Sequence, residues 1–220
     1  MEADMVSWDR HLDARDRFEL WISVMTALSV RRVAEIGVYR GQFSARMLAA
    51  VPSLQRYFLI DPWRQLSNWN KPANTDDMAF EGHYRHALNT TEFAAEKRTV
   101  LRGLTSEVVD EIPDSSLDLV YIDGDHTLRG ISIDLISSFP KVRDGGWIVG
   151  DDLSRTIWQH DRRFEPTMVF PFVVHFAEAH RLRIFTLPFN QFAMQKTSEA
   201  FELVDLAGGY GDTSLHSQLL

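Results

Sequence analysis

Two short stretches place carboxylates where apolar runs end. "VYIDGDH" closes on Asp123, Asp125 and His126, and "GGWIVGDD" closes on Asp151 and Asp152. If both runs are strands of one parallel sheet, their ends share an edge, and Asp123, Asp151 and Asp152 converge. Three carboxylates at one point repel each other unless a cation sits among them. The chain has no cysteine, so a metal would be held by oxygen or imidazole, and magnesium is the expected occupant. A hydroxyl bound to such an ion becomes more acidic and is fixed for reaction. His126, three residues beyond Asp123, has an ordinary pKa near ~6.5 and suits the general base that takes the hydroxyl proton. Asp123 is the competing base. Asp125 is expected to cap the helix that follows.

The elements that must position these groups alternate along the chain. Apolar residues at Phe18, Trp21, Ile22, Met25 and Leu28 have helical spacing within an N-terminal helical segment, residues 1–30. "RRVAEIG", "RYFLID", "RTVLRG", "LDLVYID" and "GGWIVGDD" read as five buried strands. Helices are expected at "QFSARMLAAV", "SEVVDEI", Thr127–Phe139 and Phe172–His180, followed by a closing hairpin of "RIFTLP" and "NQFAMQK". Strands alternating with helices imply an α/β fold, a Rossmann-like, doubly wound and mostly parallel sheet. The main domain spans residues 31–197, with an aromatic-dotted insertion or lid at 62–98 and a tail at 198–220 that offers no chemistry.

In such sheets ligands bind beyond the carboxyl ends of the strands. Glu35 and Asp61 lie at two more of these ends. The loop "EIGVYRGQFS" is not G-x-G-x-x-G, because Val38, Tyr39 and Arg40 separate Gly37 from Gly41. A bulky Tyr39 disfavours close approach of a pyrophosphate, and Glu35 would repel one. Glu35 suits an ammonium group instead. Asp61, 20 residues after Gly41, stands where an acid binds ribose hydroxyls. A ligand with an amino-acid end and a ribose end satisfies both, which points to S-adenosylmethionine.

"VAEIGVYRGQFS", "YFLIDPW" and "LDLVYIDGDH…FPKVRDGGWIVGDD" resemble the class I S-adenosylmethionine-dependent methyltransferases. Within them the closest resemblance is to the divalent-metal-dependent O-methyltransferases, especially the branch acting on sugars of macrolide-type natural products. It covers roughly residues 31–196. The resemblance implies a seven-stranded sheet whose last strand is antiparallel. It implies that Glu35 and the loop Gly37, Val38, Tyr39 and Gly41, with Ser44 behind it, hold the methionine end. Asp61 would hold the ribose, Trp63 would cover the adenine, and Asp123 would border the cofactor. Asp123, Asp151 and Asp152 would bind Mg2+, and the D-x-x-H spacing would make His126 the base.

The remaining composition narrows the partners. A formal charge of −8, from 23 Lys+Arg against 31 Asp+Glu, with no basic run, argues against nucleic acid. No apolar stretch approaches the ~20 residues of a membrane span, and the charged N-terminus lacks a signal-peptide core, so a cytoplasmic protein is expected. The acceptor is expected to be a saccharide or other small molecule. A catechol or phenolic acceptor, and a non-catalytic S-adenosylmethionine-binding subunit, are the alternatives; an NAD-dependent oxidoreductase fits Tyr39 poorly. "HYRH" reads as an ordinary helix face, and the amphipathic N-terminal helix as a candidate homodimer surface.

Overall fold

A computed structural model describes residues 7–197 and 200–213. Strands β1 (Arg32–Ile36), β2 (Arg56–Asp61), β3 (Arg98–Arg102), β4 (Leu117–Ile122), β5 (Val142–Gly150), β6 (Arg183–Leu187), β7 (Gln191–Gln195) and β8 (Glu202–Asp205) form one sheet in the order β3-β2-β1-β4-β5-β7-β6-β8. The first five pair in parallel, and β7 runs antiparallel to both β5 and β6. The expected count of seven is thus exceeded by one among the described residues. The extra strand lies within the span read as a featureless tail: β8 pairs in parallel with β6. Beyond it Tyr210 is buried and its hydroxyl donates to the Leu153 carbonyl. Residues 198–199 and 214–220 of that tail, and 1–6 of the N-terminal segment, lie outside the described residues.

Strand side chains alternate between two cores, as the two-residue period of a strand requires. Ala34, Ile36, Val120, Ile122 and Ile148 face α4 (Thr105–Val108), α5 (Leu128–Ser138) and α6 (Val169–His180). Val33, Leu119, Tyr121, Trp147 and Val149 face α1 (Arg17–Ala27) and α2 (Gln42–Ala50). Each Val, Leu or Ile side chain fully buried this way contributes about 1.5–3 kcal/mol. On α1 the residues turned inward are Leu20, Trp21, Val24 and Met25. Phe18 and Ile22 of the same helix, and Leu28 just beyond it, are partly buried against this core. No helix of the described residues is long and apolar enough to cross a membrane.

The insertion contributes α3 (Asp77–Thr90), capped by Asp76, whose carboxylate accepts from Ala79 N at 2.8 Å. His83 and His86 lie on this helix. The His83 ring packs on Tyr39 with centroids 4.4 Å apart, and His86 Nδ1 meets Arg40 O at 3.0 Å. Helix α5 is capped by Thr127, which accepts from Gly130 N at 3.2 Å. Asp125, expected to be that cap, instead braces the cap residue, accepting from Thr127 N at 2.9 Å and Thr127 Oγ1 at 3.0 Å. The threonine wins because it occupies the extended residue at the helix entrance, where a short side chain reaches back to the first turn.

Candidate active site

The carboxyl ends of β1, β2 and β4 open into one cavity of about 660 Å³. Glu35, Gly37, Val38, Tyr39, Asp61, Asp123, His126 and Asp152 line it. Gly41, Ser44, Trp63 and Asp151 do not. Gly41, at φ +74°, caps α2 behind the loop. Ser44 is fully buried on the inner side of α2. Trp63 was expected over the adenine, but it turns into the core at φ +40°, 1% exposed, with Nε1 donating to Tyr39 O at 2.7 Å. Its indole fills the gap under the loop and packs on Tyr84 rather than presenting a face to a ligand.

The glycine loop is held by Asp61. One carboxylate oxygen accepts from Val38 N at 3.0 Å and Tyr39 N at 2.8 Å, and the other from Trp63 N at 2.8 Å. A carboxylate has about four acceptor positions, so one remains toward the cavity. Burial pushes Asp61 up to about 6, against the pull of those three amides. Glu35 is 1% exposed and accepts from the Tyr57 hydroxyl at 2.8 Å. Burial pushes this carboxyl up to about 8. Ser44 and Tyr57 supply only neutral hydroxyls to this nearly desolvated acid, and it faces a cavity, which poises it for a cationic ligand. Gly37, at φ +87°, lets the loop cross the end of β4; a Cβ there would lie 2.0 Å from Asp123 O.

The acidic cluster at β4 and β5 does not converge as a metal cage. Arg17, the first residue of α1, enters it. Its Nη1 lies 3.0 Å from Asp123 Oδ2, touches Asp151 Oδ2, and reaches Tyr121 Oη at 3.5 Å. His126 supplies a second contact, with Nδ1 at 2.5 Å from Asp152 Oδ2 and Nε2 at 3.5 Å from Asp123 Oδ1. Asp151 Oδ1 accepts from Asp152 N at 2.7 Å and Gln191 Nε2 at 2.5 Å, and Asp152 Oδ1 from Gln159 Nε2 at 3.2 Å. No group of three or more His, Asp or Glu among the described residues is arranged to hold a metal ion. The expected metal ligands Asp123, Asp151 and Asp152 are engaged by the protein's own donors, and the trio does not fit Mg2+ as it stands.

Burial opposes charge on His126, but the Asp152 contact and the charges of Asp152 and Asp123 outweigh it and raise its pKa. Asp152 is held below its ordinary value, its burial outweighed by the same contact. Asp123 is raised by burial. His126 Nε2 is buried without a hydrogen bond, with Asp123 Oδ1 3.5 Å away.

Several residues of this cavity were not read from the sequence. Arg17 carried no local signal; only the fold brings it to Asp123, 106 positions away. Asp134, on the inner side of α5 and hydrogen-bonded by Thr105 Oγ1 at 2.6 Å, is pushed up to about 7 by burial. It was legible as a polar residue between Ile131 and Leu135 on an inward face. Lys71 is buried in the insertion, donates to Thr167 Oγ1 at 3.1 Å, and is lowered by burial.

These shifts give a pH dependence. Glu35, Asp61 and Asp134 bind protons more tightly folded than unfolded. The free protein therefore loses stability as pH rises from about 4 toward 8, by at most about 1.4 kcal/mol per pH unit per group. The raised His126 has the same sign. Denaturant midpoints should be higher at pH 6 than at pH 8; equal midpoints would contradict the buried acids.

A family model described as "Methyltransferase domain" matches residues 34–153. An uncharacterized protein of Sinorhizobium fredii, y4gI, is 25% identical over 181 residues, 76% of this chain and 18% of that protein. The chain thus spans under a fifth of that curated relative's length. An O-methyltransferase from Bacillus cereus, solved with SAH, superposes with TM-score 0.60 at 17% identity, covering 85% of this chain and 84% of the other. The O-methyltransferase TomG from Streptomyces achromogenes, involved in tomaymycin synthesis and solved with SAM, gives 0.57 at 16% identity over 85% and 84%. At these identities the structural likeness is one of fold.

Proposed function

From the premise that the chain belongs to the methyltransferase-domain family, we propose that it moves the methyl group of S-adenosylmethionine to a hydroxyl oxygen of a sugar, glycan or glycosylated natural product. The observation that carries this reading is Glu35, a buried carboxyl at the end of β1 facing the cavity beside the Gly37 loop. The cofactor, when bound, supplies an electrophilic methyl on its sulfonium. Glu35 takes the ammonium of its amino-acid end. Asp61 keeps the Val38–Tyr39 backbone in place and offers its remaining acceptor position to the ribose. His126, oriented by Asp152, receives the proton that leaves the acceptor hydroxyl. Magnesium assistance, the expectation raised by the acid pattern, would require Arg17 to leave the gap between Asp123 and Asp151. A phenolic acceptor is a second reading, favoured by Leu66, Trp69 and Phe80 on the wall that the insertion builds.

Calorimetry with S-adenosylmethionine and with NAD tests the cofactor directly, and binding of NAD alone would overturn the reading. The proton count makes the test specific. Glu35 is protonated in the free protein at pH 7 and must ionise to hold an ammonium. Binding should therefore release close to one proton, seen as a dependence of the heat on buffer ionisation. Affinity should rise between pH 6 and 7 by up to about tenfold. Glu35→Gln should abolish the release and weaken binding by about 1.5–3 kcal/mol, the worth of a hydrogen bond to a charged group. Binding without proton release would remove Glu35 from the cofactor site. Release of S-adenosylhomocysteine with methyl glycosides or with catechols then separates the two acceptor readings.

A further inference from the structure

We propose that Arg17 is the resident cation of the acidic cluster, standing where a divalent ion was expected, so that the site keeps its three carboxylates in place without metal. The proposal rests on the methyl-transfer reading only for what the site is used for; the assignment of Arg17 rests on the cluster itself.

The donors leave little for a metal. Magnesium demands about six oxygens at roughly 2.0–2.1 Å in near-octahedral order. The pair of oxygens that would begin such a shell, Asp123 Oδ2 and Asp151 Oδ2, have Nη1 of Arg17 between them. The other Asp151 oxygen accepts two N–H groups, from Asp152 and Gln191. Both Asp152 oxygens face side-chain donors, Gln159 and His126. A dication would have to displace these hydrogen bonds and sit against a guanidinium, which keeps its charge at every working pH.

Arg17 is also held from behind. Asp16 caps α1 by accepting from Glu19 N at 2.8 Å, which fixes Arg17 as the first helical residue. The helix is anchored by Trp21, whose Nε1 donates to Gln191 Oε1 at 2.7 Å. The same Gln191 donates to Asp151. The cation and one of its carboxylates are thus tied to a single buried glutamine, and α1 is part of the site.

This arrangement makes a prediction that a merely structural arginine would not. Removing the guanidinium should uncover a divalent site. Manganese binding, followed by the spin-resonance signal of the free ion, should be absent at sub-millimolar Mn2+ in the wild-type chain and present at one ion per chain in Arg17→Ala. The gain should be roughly 10²-fold or more, given how strongly a unit charge that close acts on a dication. Arg17→Ala/Asp151→Asn should lose the site again. If Arg17→Ala does not fold, Arg17→Gln removes the charge while keeping most of the volume. S-adenosylmethionine heats on the wild type should be the same with and without chelator. One Mn2+ per wild-type chain that Asp151→Asn abolishes would overturn the proposal, as would a folded Arg17 variant without a manganese site. Failure of S-adenosylmethionine to bind either protein would count against the methyl-transfer reading alone, since the manganese result decides Arg17 separately.

Discussion

Replacing His126 by alanine is expected to lower turnover by ~10² to 10⁴, the usual contribution of general base catalysis, while leaving cofactor affinity unchanged. The base needs an unprotonated nitrogen. His126 Nδ1 is engaged by Asp152, which leaves Nε2 for the acceptor hydroxyl. Because its pKa is raised, the wild-type rate should climb with pH through a limb lying above ~6.5, the free imidazole value. The alanine variant should lack that limb. Asp152→Asn should move it to lower pH, since the contact that stabilises the imidazolium is weakened. Initial rates of S-adenosylhomocysteine release across pH, with the best acceptor found, measure all three. A mild alanine phenotype with an unchanged pH profile would shift the role to Asp123. It would also open it to Lys71, whose buried amine lines the same cavity, and Lys71→Met would separate these two.

The second large effect belongs to a residue with no side chain. Gly37→Ala should destabilise the chain by about 2–5 kcal/mol, combining a left-handed backbone cost of about 1–2 kcal/mol with about 1–3 kcal/mol for displacing packed backbone. The added Cβ would meet Asp123 O at 2.0 Å and Gly124 Cα at 2.6 Å. Neither is the tip of a flexible side chain, so β1 and β4 would have to part. Cofactor affinity should fall as well, because the crossing places Glu35, the Val38–Tyr39 amides and Asp123 around one cavity. Gly82→Ala is the control. On α3 its Cβ would meet nothing within 4 Å, and it should stabilise by up to about 1 kcal/mol. Denaturant unfolding of the two variants decides: a Gly37→Ala loss below about 1 kcal/mol would mean that the loop gives way without cost.

The parallel part of the sheet was legible because its strands are buried on both faces. Runs such as "LDLVYID" and "YFLID" are short and mostly apolar, with Val, Ile, Tyr and Phe prominent, as suits a doubly covered strand. The helices between them follow from apolar spacing, and the closing antiparallel pair from its turn. The eighth strand was not legible. Its residues are half-buried at best, so a pattern drawn from burial passes over it, and its place is decided by the open edge of β6.

The same division runs through the site. Residues at or just beyond a strand's carboxyl end lie along one edge of the sheet, so the strand pattern brings Glu35, Asp61, Asp123 and Asp152 to one cavity. That much is local geometry repeated four times. The partners of those carboxylates are not local. Asp61 bonds to amides 23 and 22 positions before it; Trp63 turns inward because that loop leaves a space to fill; and Arg17 arrives from a helix 106 positions away from Asp123. A charge acts through space with a reach of several ångströms. The sequence therefore determined that negative charge gathers at this edge and requires a counter-ion, and only the tertiary structure, by laying the capped start of α1 across the ends of β4 and β5, decided that the counter-ion is Arg17.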